Sequence, residues 1–258
     1  MKKRMVVVSD FHSGHEYGLT PPKHQRPDST KTGRFERALW KFFTTAIRPL
    51  KPIDILVVNG DCIEGKGETS GGVELITLDR HKQAEIAADS INYTEAECVR
   101  IIYGSRLHTG KDEDFEDMVA DNLDASDVKV EGHGFFKVNG CAVDVKHKVA
   151  SSGIPHGRHN AVAKERMWNV MWHAEHDRQP LADILIRSHV HYFDYCGGTD
   201  WLGVTTPALT YNSHYGVRNC SGVVDVGFLA FDFNPDGRFT WWPIIADFAA
   251  LRVRAESL

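Results

Sequence analysis

The sequence predicts an α/β domain of the layered α+β kind, and three observations carry that expectation. Short runs rich in β-branched and aromatic residues alternate with helical stretches along the 258 residues, the pattern of sheets covered by helices. Several of those runs stop at Asp or His, where open α/β folds place their ligand sites. No internal repeat, low-complexity tract or Gly/Ser linker divides the chain, so residues 1–258 read as one domain.

The elements follow in order. Met5–Ser9 is the first strand. The first helix is the plainest element: Phe35, Ala38, Leu39, Phe42, Phe43, Ala46 and Ile47 recur at i, i+3, i+4 and i+7, and Pro49 and Pro52 stop it. Ile53–Asn59 is the second strand and Leu78–Asn92 the second helix. Val99–Tyr103 is the third strand, followed by a helix over Glu113–Leu123 that opens on an acidic turn. Phe135–Val138 and Ala142–Lys146 are strands, Asn160–Glu175 is the fourth helix, and Ile184–Ser188 and Val223–Phe233 complete the strands. Three polar stretches, His15–Thr32, Ser151–His159 and Tyr192–Cys220, read as loops, and loops longer than ~12–15 residues in compact domains are often functional.

Composition narrows the classes. With Gly counted in place of Tyr, apolar residues make up about 48% of the chain, inside the globular range of about 45–50% and against disorder. A formal net charge of -5 supplies no global basic field for nucleic acid. No apolar run approaches the ~18–20 residues of a membrane span, and the basic Met1–Arg4 is followed only by Met5–Val8, too short for a signal peptide. A cytoplasmic protein with no membrane partner is expected. Cys62, Cys98, Cys141, Cys196 and Cys220 are odd in number and include no Cys-x-x-Cys pair, which predicts free thiols in a reducing compartment and argues against a structural zinc knuckle.

Histidine and aspartate carry the functional signal. Val6-Val7-Val8-Ser9 leads into Asp10-Phe11-His12, and Ile55–Asn59 into Gly60-Asp61. Ile101-Ile102-Tyr103 leads into Gly104-Ser105-Arg106-Leu107-His108, Val143–Lys146 into His147, and Ile184–Ser188 into His189-Val190-His191. Five strand ends thus each deliver a carboxylate or an imidazole, about 40 to 50 residues apart, one per strand and crossover. Side chains at i and i+2 of an extended segment share a face, so Asp10 with His12, and His189 with His191, can each grip a metal. Any one motif is commonplace as a satisfied turn or a surface histidine; the ordered set is not. Mixed imidazole and carboxylate donors suit Mn, Zn, Fe or Ni rather than Ca or Mg alone, and two ions ~3.5–4 Å apart form the clamp of in-line phosphoryl chemistry. His15, Arg106, His156 and His159 are candidates for the rim that holds substrate.

As an ordered set, these motifs resemble those of the calcineurin-like metallophosphoesterase superfamily, which run Asp-x-His, Gly-Asp, Gly-Asn-His, His and Gly-His-x-His. The resemblance spans Asp10 to His191. It implies a two-sheet β-sandwich flanked by helices with a binuclear centre at the strand ends. It further implies that Asp10, His12 and His191 ligate one metal, that Asp61 bridges, and that His147 and His189 ligate the other. Where the family has Gly-Asn-His this chain has Gly104-Ser105-Arg106-Leu107-His108, which puts Ser105 in the place of an amide ligand and displaces the histidine. Ser188 likewise replaces a glycine. His108 is the candidate for the group that assists the leaving oxygen, with ligation in compensation for Ser105 as its alternative.

The reading is therefore a metal-dependent phosphoesterase with two divalent ions, manganese first and zinc, iron or nickel next, in which a hydroxide bridging the ions attacks phosphorus in line. A phosphodiester of nucleotide or single-stranded nucleic-acid type is the expected substrate. Gly60-Asp61 continues as Cys62-Ile63-Glu64 without the Arg of the family's protein phosphatases, and the aromatics of Tyr192–Cys220 can stack a base. The alternatives are a phosphomonoesterase of the same fold and a noncatalytic scaffold that has lost full metal function; protein partners are not specified by the sequence.

Overall fold

The computed structural model describes residues 1–68, 70–109, 115–152, 154–219 and 224–247. The start of the helix expected from Glu113, the start of the strand expected from Val223, and Cys220 lie outside the described residues. In chain order the elements are β1 (Lys3–Val8), α1 (Lys31–Ile47), β2 (Ile55–Asn59), α2 (Arg80–Asn92), β3 (Cys98–Ile102), α3 (Arg106–Thr109), α4 (Phe115–Asp121), β4 (Asp127–Glu131), β5 (Gly134–Val138) and β6 (Cys141–Lys148). They continue as α5 (Asn160–Ala174), β7 (Ile184–Ser188), β8 (Asp194–Gly197), β9 (Leu202–Thr205), α6 (His214–Asn219), β10 (Gly227–Phe233) and β11 (Phe239–Ile245).

Apolar residues on both faces of the central strands generate the layers. Along β1, Met5 and Val7 pack into one cluster and Val6 and Val8 into another, and all four are fully buried. A strand apolar on both faces belongs inside a sheet that is covered on both sides. β2 and β10 repeat the division: Leu56, Val58, Phe228 and Ala230 join Val6, while Val57, Leu229, Phe231 and Phe233 join Met5.

The first sheet has the order β11-β10-β1-β2-β3-β4, parallel from β1 to β4, with β10 antiparallel to β1 and β11 antiparallel to β10. The second sheet runs β5-β6-β7-β9-β8, with β6, β7 and β9 parallel and an antiparallel strand at each edge. Between the sheets, Met5, Val7 and Val57 meet Val143, Val145, Ile184, Ile186 and Val204. On the far side of the first sheet lie Phe35, Leu39, Phe43 and Ile47 of α1, Ala84, Ala87, Ala88 and Ile91 of α2, and Phe115 and Val119 of α4. α5 packs on β7, β8 and β9 of the second sheet. The result is a two-sheet sandwich flanked by helices, as the motif order implied.

Helix starts are set by side-chain caps. The Thr30 hydroxyl accepts from Gly33 N ahead of α1, and the Asp79 carboxylate accepts from His81 N ahead of α2, where each satisfies an otherwise orphaned donor. Four strands escaped the sequence reading. β4 alternates charged residues with valines at the edge of its sheet and stays partly exposed. β8 and β9 occupy the stretch expected to be one long loop, Tyr192–Cys220; β9 is short, contains Gly203, and is buried throughout. β11 contains Pro243, which is tolerated because an edge strand leaves one row of backbone groups unpaired. Cys62, Cys98, Cys141 and Cys196 are free thiols. Among the described residues, no helix is long and apolar enough to cross a membrane.

The second sheet holds a charge pair in its interior. Arg187 and Asp144 are each 1% exposed and meet at 2.7 Å from Nη1 to Oδ1, with His133 Nε2 at 2.8 Å from the same oxygen and Glu165 of α5 at 3.2 Å from the guanidinium. Burial would raise the Asp144 carboxyl, but His133 and Arg187 together hold it below its ordinary value. Removing only one member leaves a buried charge uncompensated. Arg187→Met is expected to cost about 3–5 kcal/mol in urea unfolding, and the double variant Arg187→Met/Asp144→Leu to recover most of the loss; equal losses in single and double variants would contradict this account.

Candidate metal centre

The ligand candidates stand where strands of both sheets run out at one end of the sandwich. Asp10 and His12 follow β1, Asp61 follows β2, His147 is the next-to-last residue of β6, and His189 and His191 follow β7. Five of these residues have left-handed backbone: Asp10 (φ 52°), His12 (46°), Asp61 (49°), His189 (72°) and His191 (56°). A non-glycine residue held there costs on the order of 1–3 kcal/mol and is characteristic of ligand clamps. The turns also change the pairing expected of an extended segment. His189 and His191 part company, His191 toward Asp10 and His12, and His189 toward Asp61 and His147.

Three clusters result, in each of which one atom per residue lies within 4.8 Å of the others: Asp10, His12 and His191; Asp61, His147 and His189; and His12, Asp61 and His108. In the first, His191 Nε2 is 3.1 Å from Asp10 Oδ1 and 3.2 Å from His12 Nε2. In the second, Asp61 Oδ2 is 3.1 Å from His147 Nε2 and 3.9 Å from His189 Nδ1. In the third, His108 Nε2 is 4.0 Å from Asp61 Oδ2. Asp61 is common to the last two clusters and His12 to the first and last.

The electrostatics follow from burial opposed by close charge. Desolvation would raise the Asp10 carboxyl, but His191, with His147 behind it, pulls it down to about 2. Asp61 is likewise held well below the carboxylate range, against burial, by His147 and His108. Burial and the neighbouring imidazoles of His108 and His191 keep His12 neutral, its value well below the ordinary one. Burial also opposes protonation of His147, but Asp61 draws it up to about 10.

The donor set fits a divalent ion. His12 Nδ1 donates to Glu64 Oε2 at 2.8 Å and His147 Nδ1 donates to the Asn59 carbonyl at 2.7 Å, so in the neutral rings both Nε2 atoms carry lone pairs facing the centre. Imidazoles oriented by a second hydrogen bond are the usual form of metal-binding histidine. Asp10 Oδ1 and His147 Nε2 are buried, and the groups nearest them, His191 Nε2 and Asp61 Oδ2 at 3.1 Å, make no well-aligned hydrogen bond with them. Buried polar atoms are nearly always satisfied, and an ion at each cluster would supply what these two lack.

The position of the family's amide is occupied differently. Ser105 N donates to Asp61 Oδ1 at 2.6 Å and the Ser105 hydroxyl reaches Asp61 Oδ2 at 3.3 Å. Gly104 is required for this approach, since a Cβ there would strike Asp61 itself. His108 Nδ1 lies 3.0 Å from the Glu64 carbonyl, and burial is outweighed by Asp61 and Glu64, so its imidazole is raised above its ordinary value.

Of the rim candidates, His15 is 3% exposed, accepts from Tyr17 N and lies 3.8 Å from Glu74. Arg106 and His156 are exposed, and His159 stands 3.9 Å from Asp194. Sequence reasoning missed the supports of the centre. Glu64, in the run that follows Gly60-Asp61, has a buried carboxylate that braces His12. Asn59 donates to Ser188 Oγ (2.6 Å), which meets Thr206 Oγ1 (2.7 Å), which meets Ser9 Oγ (2.7 Å). This chain of small polar groups has no motif to announce it. Glu116 is fully buried, accepts from Gly104 N with Oε1 and leaves Oε2 unpartnered.

The sandwich, with its ligand-bearing strand ends, has the layout of the calcineurin-like metallophosphoesterase fold. No family model matches the chain, and no curated protein matches it. Several solved structures are similar over almost its whole length. Wild-type Vps29 from Entamoeba histolytica in complex with zinc is 13% identical, with 94% of this chain and 98% of that one covered and a TM-score of 0.46. Vps29 from Cryptosporidium parvum is 9% identical, with 94% and 96% covered and a TM-score of 0.49. An archaeal phosphodiesterase is 11% identical, with 93% and 99% covered and a TM-score of 0.46. At these scores no residue role or activity passes from them to this chain.

Glu116 gives the centre a measurable signature. Burial and the charge of Asp61 push its carboxyl up from 4.5 to about 7. Between those values the folded chain keeps a proton that the unfolded chain has released, so this group's contribution to stability falls as pH rises through that window. In metal-free protein, wild type should lose on the order of 3 kcal/mol relative to Glu116→Gln between pH 4.5 and about 7. Urea unfolding of both proteins in chelator checks this, and parallel pH profiles would refute it.

Proposed function

We propose that this chain is a metal-dependent phosphodiesterase. The observation that supports it best is the pair of carboxylate–imidazole clusters, each with a buried atom, Asp10 Oδ1 in one and His147 Nε2 in the other, that lacks a well-aligned hydrogen bond. Asp10, His12 and His191 would hold one ion and His147 and His189 the other, with Asp61 shared and Ser105 beside it; manganese comes first, with zinc, iron or nickel next. Such ions supply positive charge for phosphoryl oxygens and acidify water at neutral pH.

The chain's own groups do the rest. His108, whose Nδ1 is held at the Glu64 carbonyl and whose pKa is raised, keeps a proton on the imidazole that faces Asp61 and can pass it to a departing alkoxide. Glu64 fixes the His12 ring and Ser105 fixes the Asp61 carboxylate, so neither ligand needs to reorganise when substrate arrives.

A singly charged diester suits the surroundings better than a monoester dianion. Three arginines bear on a second phosphate charge: Arg34 of α1 is bonded to the carbonyls of Asp28 and Ser29, Arg158 lies over the Tyr192 ring at 4.7 Å, and Arg106 is exposed beside Ser105. The rings offered for base stacking are largely committed elsewhere. Tyr192 is buried, Tyr211 packs on Phe35, and Phe193 packs on Tyr195 and Trp241. A nucleotide or single-stranded diester therefore relies on phosphate contacts more than on a stacking platform.

The deciding measurement is kcat/KM with added manganese on an aryl diester, an aryl monoester, a phosphopeptide and single-stranded oligonucleotides, with metal content determined in parallel. Diester preference is expected, and a monoester or phosphopeptide preference would overturn the substrate assignment. Bound metal without turnover of any of them would favour a noncatalytic scaffold. Asp61→Asn and His189→Ala should each lower turnover by several orders of magnitude with the fold retained by circular dichroism; normal turnover at unchanged metal content would refute the two-ion assignment.

His108→Ala should keep both metals and lose roughly 10²–10⁴-fold in turnover. Loss of one metal equivalent would make His108 a ligand instead.

A further inference from the structure

The outer face of α5 is apolar. Val162 and Asn169 are its buried residues, yet Met167 (68% exposed), Trp168 (43%), Val170 (44%) and Met171 (50%) face solvent. Met167, Trp168 and Met171 share one stripe with Lys164 before them and Glu175 after them, at the i, i+3, i+4, i+7, i+11 spacing of a single helix face. Trp168 and Trp172 stack at 6.1 Å with planes 16° apart, so the aromatic part of the stripe is held rigid before any partner arrives. Isolated exposed apolar residues are normal; a continuous stripe on a helix already packed on its other side marks an interaction surface.

The charges at the two ends of the stripe identify the partner. Lys164 lies toward the N-terminal end and Glu175 caps the C-terminal end, where a helix dipole favours a cation instead. Among the described residues neither has an ion-pair partner. A two-fold axis between Trp168 and Met171 satisfies the whole stripe: Lys164 of one chain meets Glu175 of the other, Trp168 meets Met171, Met167 meets Trp172, and each pair occurs twice. Isologous contacts of this kind are the commonest form of self-association. We infer that α5 is a self-docking surface, and that two copies of this chain associate through antiparallel packing of their α5 helices. A single helix pair is a small interface, so the dimer is weak and concentration-dependent, in the micromolar range.

A charge-swap experiment separates this partner from any other. Sedimentation velocity of the full chain, from micromolar to submillimolar concentration, should show a monomer–dimer equilibrium. Lys164→Glu alone sets Glu against Glu at both ends, and Glu175→Lys alone sets Lys against Lys. Each should raise the dimer Kd on the order of tenfold. An equimolar mixture of the two variants restores both ion pairs and should return to the wild-type Kd as a heterodimer. Trp168→Glu should abolish association with the far-ultraviolet circular dichroism unchanged. A wild-type chain that stays monomeric throughout, single variants that dimerise as well as wild type, or a mixture that fails to recover would each overturn the inference, and the last would point to a different interface.

Discussion

Two carboxylates without water constrain everything around them. Asp10 and Asp61 are at most 1% exposed, at the seam where the two sheets end, and the penalty for burying such charges is several kcal/mol each unless it is offset. The offset comes from opposite directions. His191 reaches Asp10 from the far sheet, His147 reaches Asp61 from the far sheet, and the backbone N–H of Ser105 closes on Asp61 from the β3 side. Both carboxylates leave the first sheet, and each takes an imidazole from the second. The buried charge is what requires the two sheets to meet in one register.

That register is locked just beneath the centre by groups too small to stand out. Asn59 leaves β2, Ser188 ends β7, Thr206 follows β9 and Ser9 follows β1, and their side chains run in one hydrogen-bonded line from the first sheet to the second and back. Asn59 also accepts the His147 N–H through its carbonyl. The line runs through the Asn59 amide N–H and the three hydroxyls, while Asn59 Oδ1 is buried without a partner.

The sequence showed the parts whose physical signature is local. The apolar runs of β1, β2 and β7, the periodic face of α1, and the Asp or His just past each strand could all be read from neighbours in the chain. Ser188 was visible as a departure from glycine, but not its use, since a hydroxyl bridging two sheets depends on Asn59, 129 residues away. The same holds for Glu64 and Glu116, whose neighbours in sequence say nothing of His12 or Gly104. β8 and β9 were hidden by the glycines and polar residues between Tyr192 and Cys220; they are strands because β7 offers a buried edge that pairs with β9 and packs it into the core. The left-handed turns at Asp10, His12, His189 and His191 carry no residue-level mark either, because no glycine stands at any of them.

The position of β10 has a consequence for how the molecule comes to exist. Central strand β1 is made first, yet one of its two neighbours, β10, arrives more than two hundred residues later, with Lys3 opposite Phe233 and Val7 opposite Leu229. All of the second sheet is synthesised in between. Contacts of such separation in sequence are slow to form, since a long loop must close before any pairing rewards it. Until then β1 has an open apolar edge, and the backbone carbonyl of Ser9, which receives Leu209 N in the finished molecule, is also unmatched. The turn that aims Asp10 and His12 is held from the β2 side, where the Gly60 and Asp61 carbonyls accept from Asp10 N and His12 N, and gains its bond from Leu209 only later. Nascent chains paused before residue 227 would be prone to pair strand edges with one another.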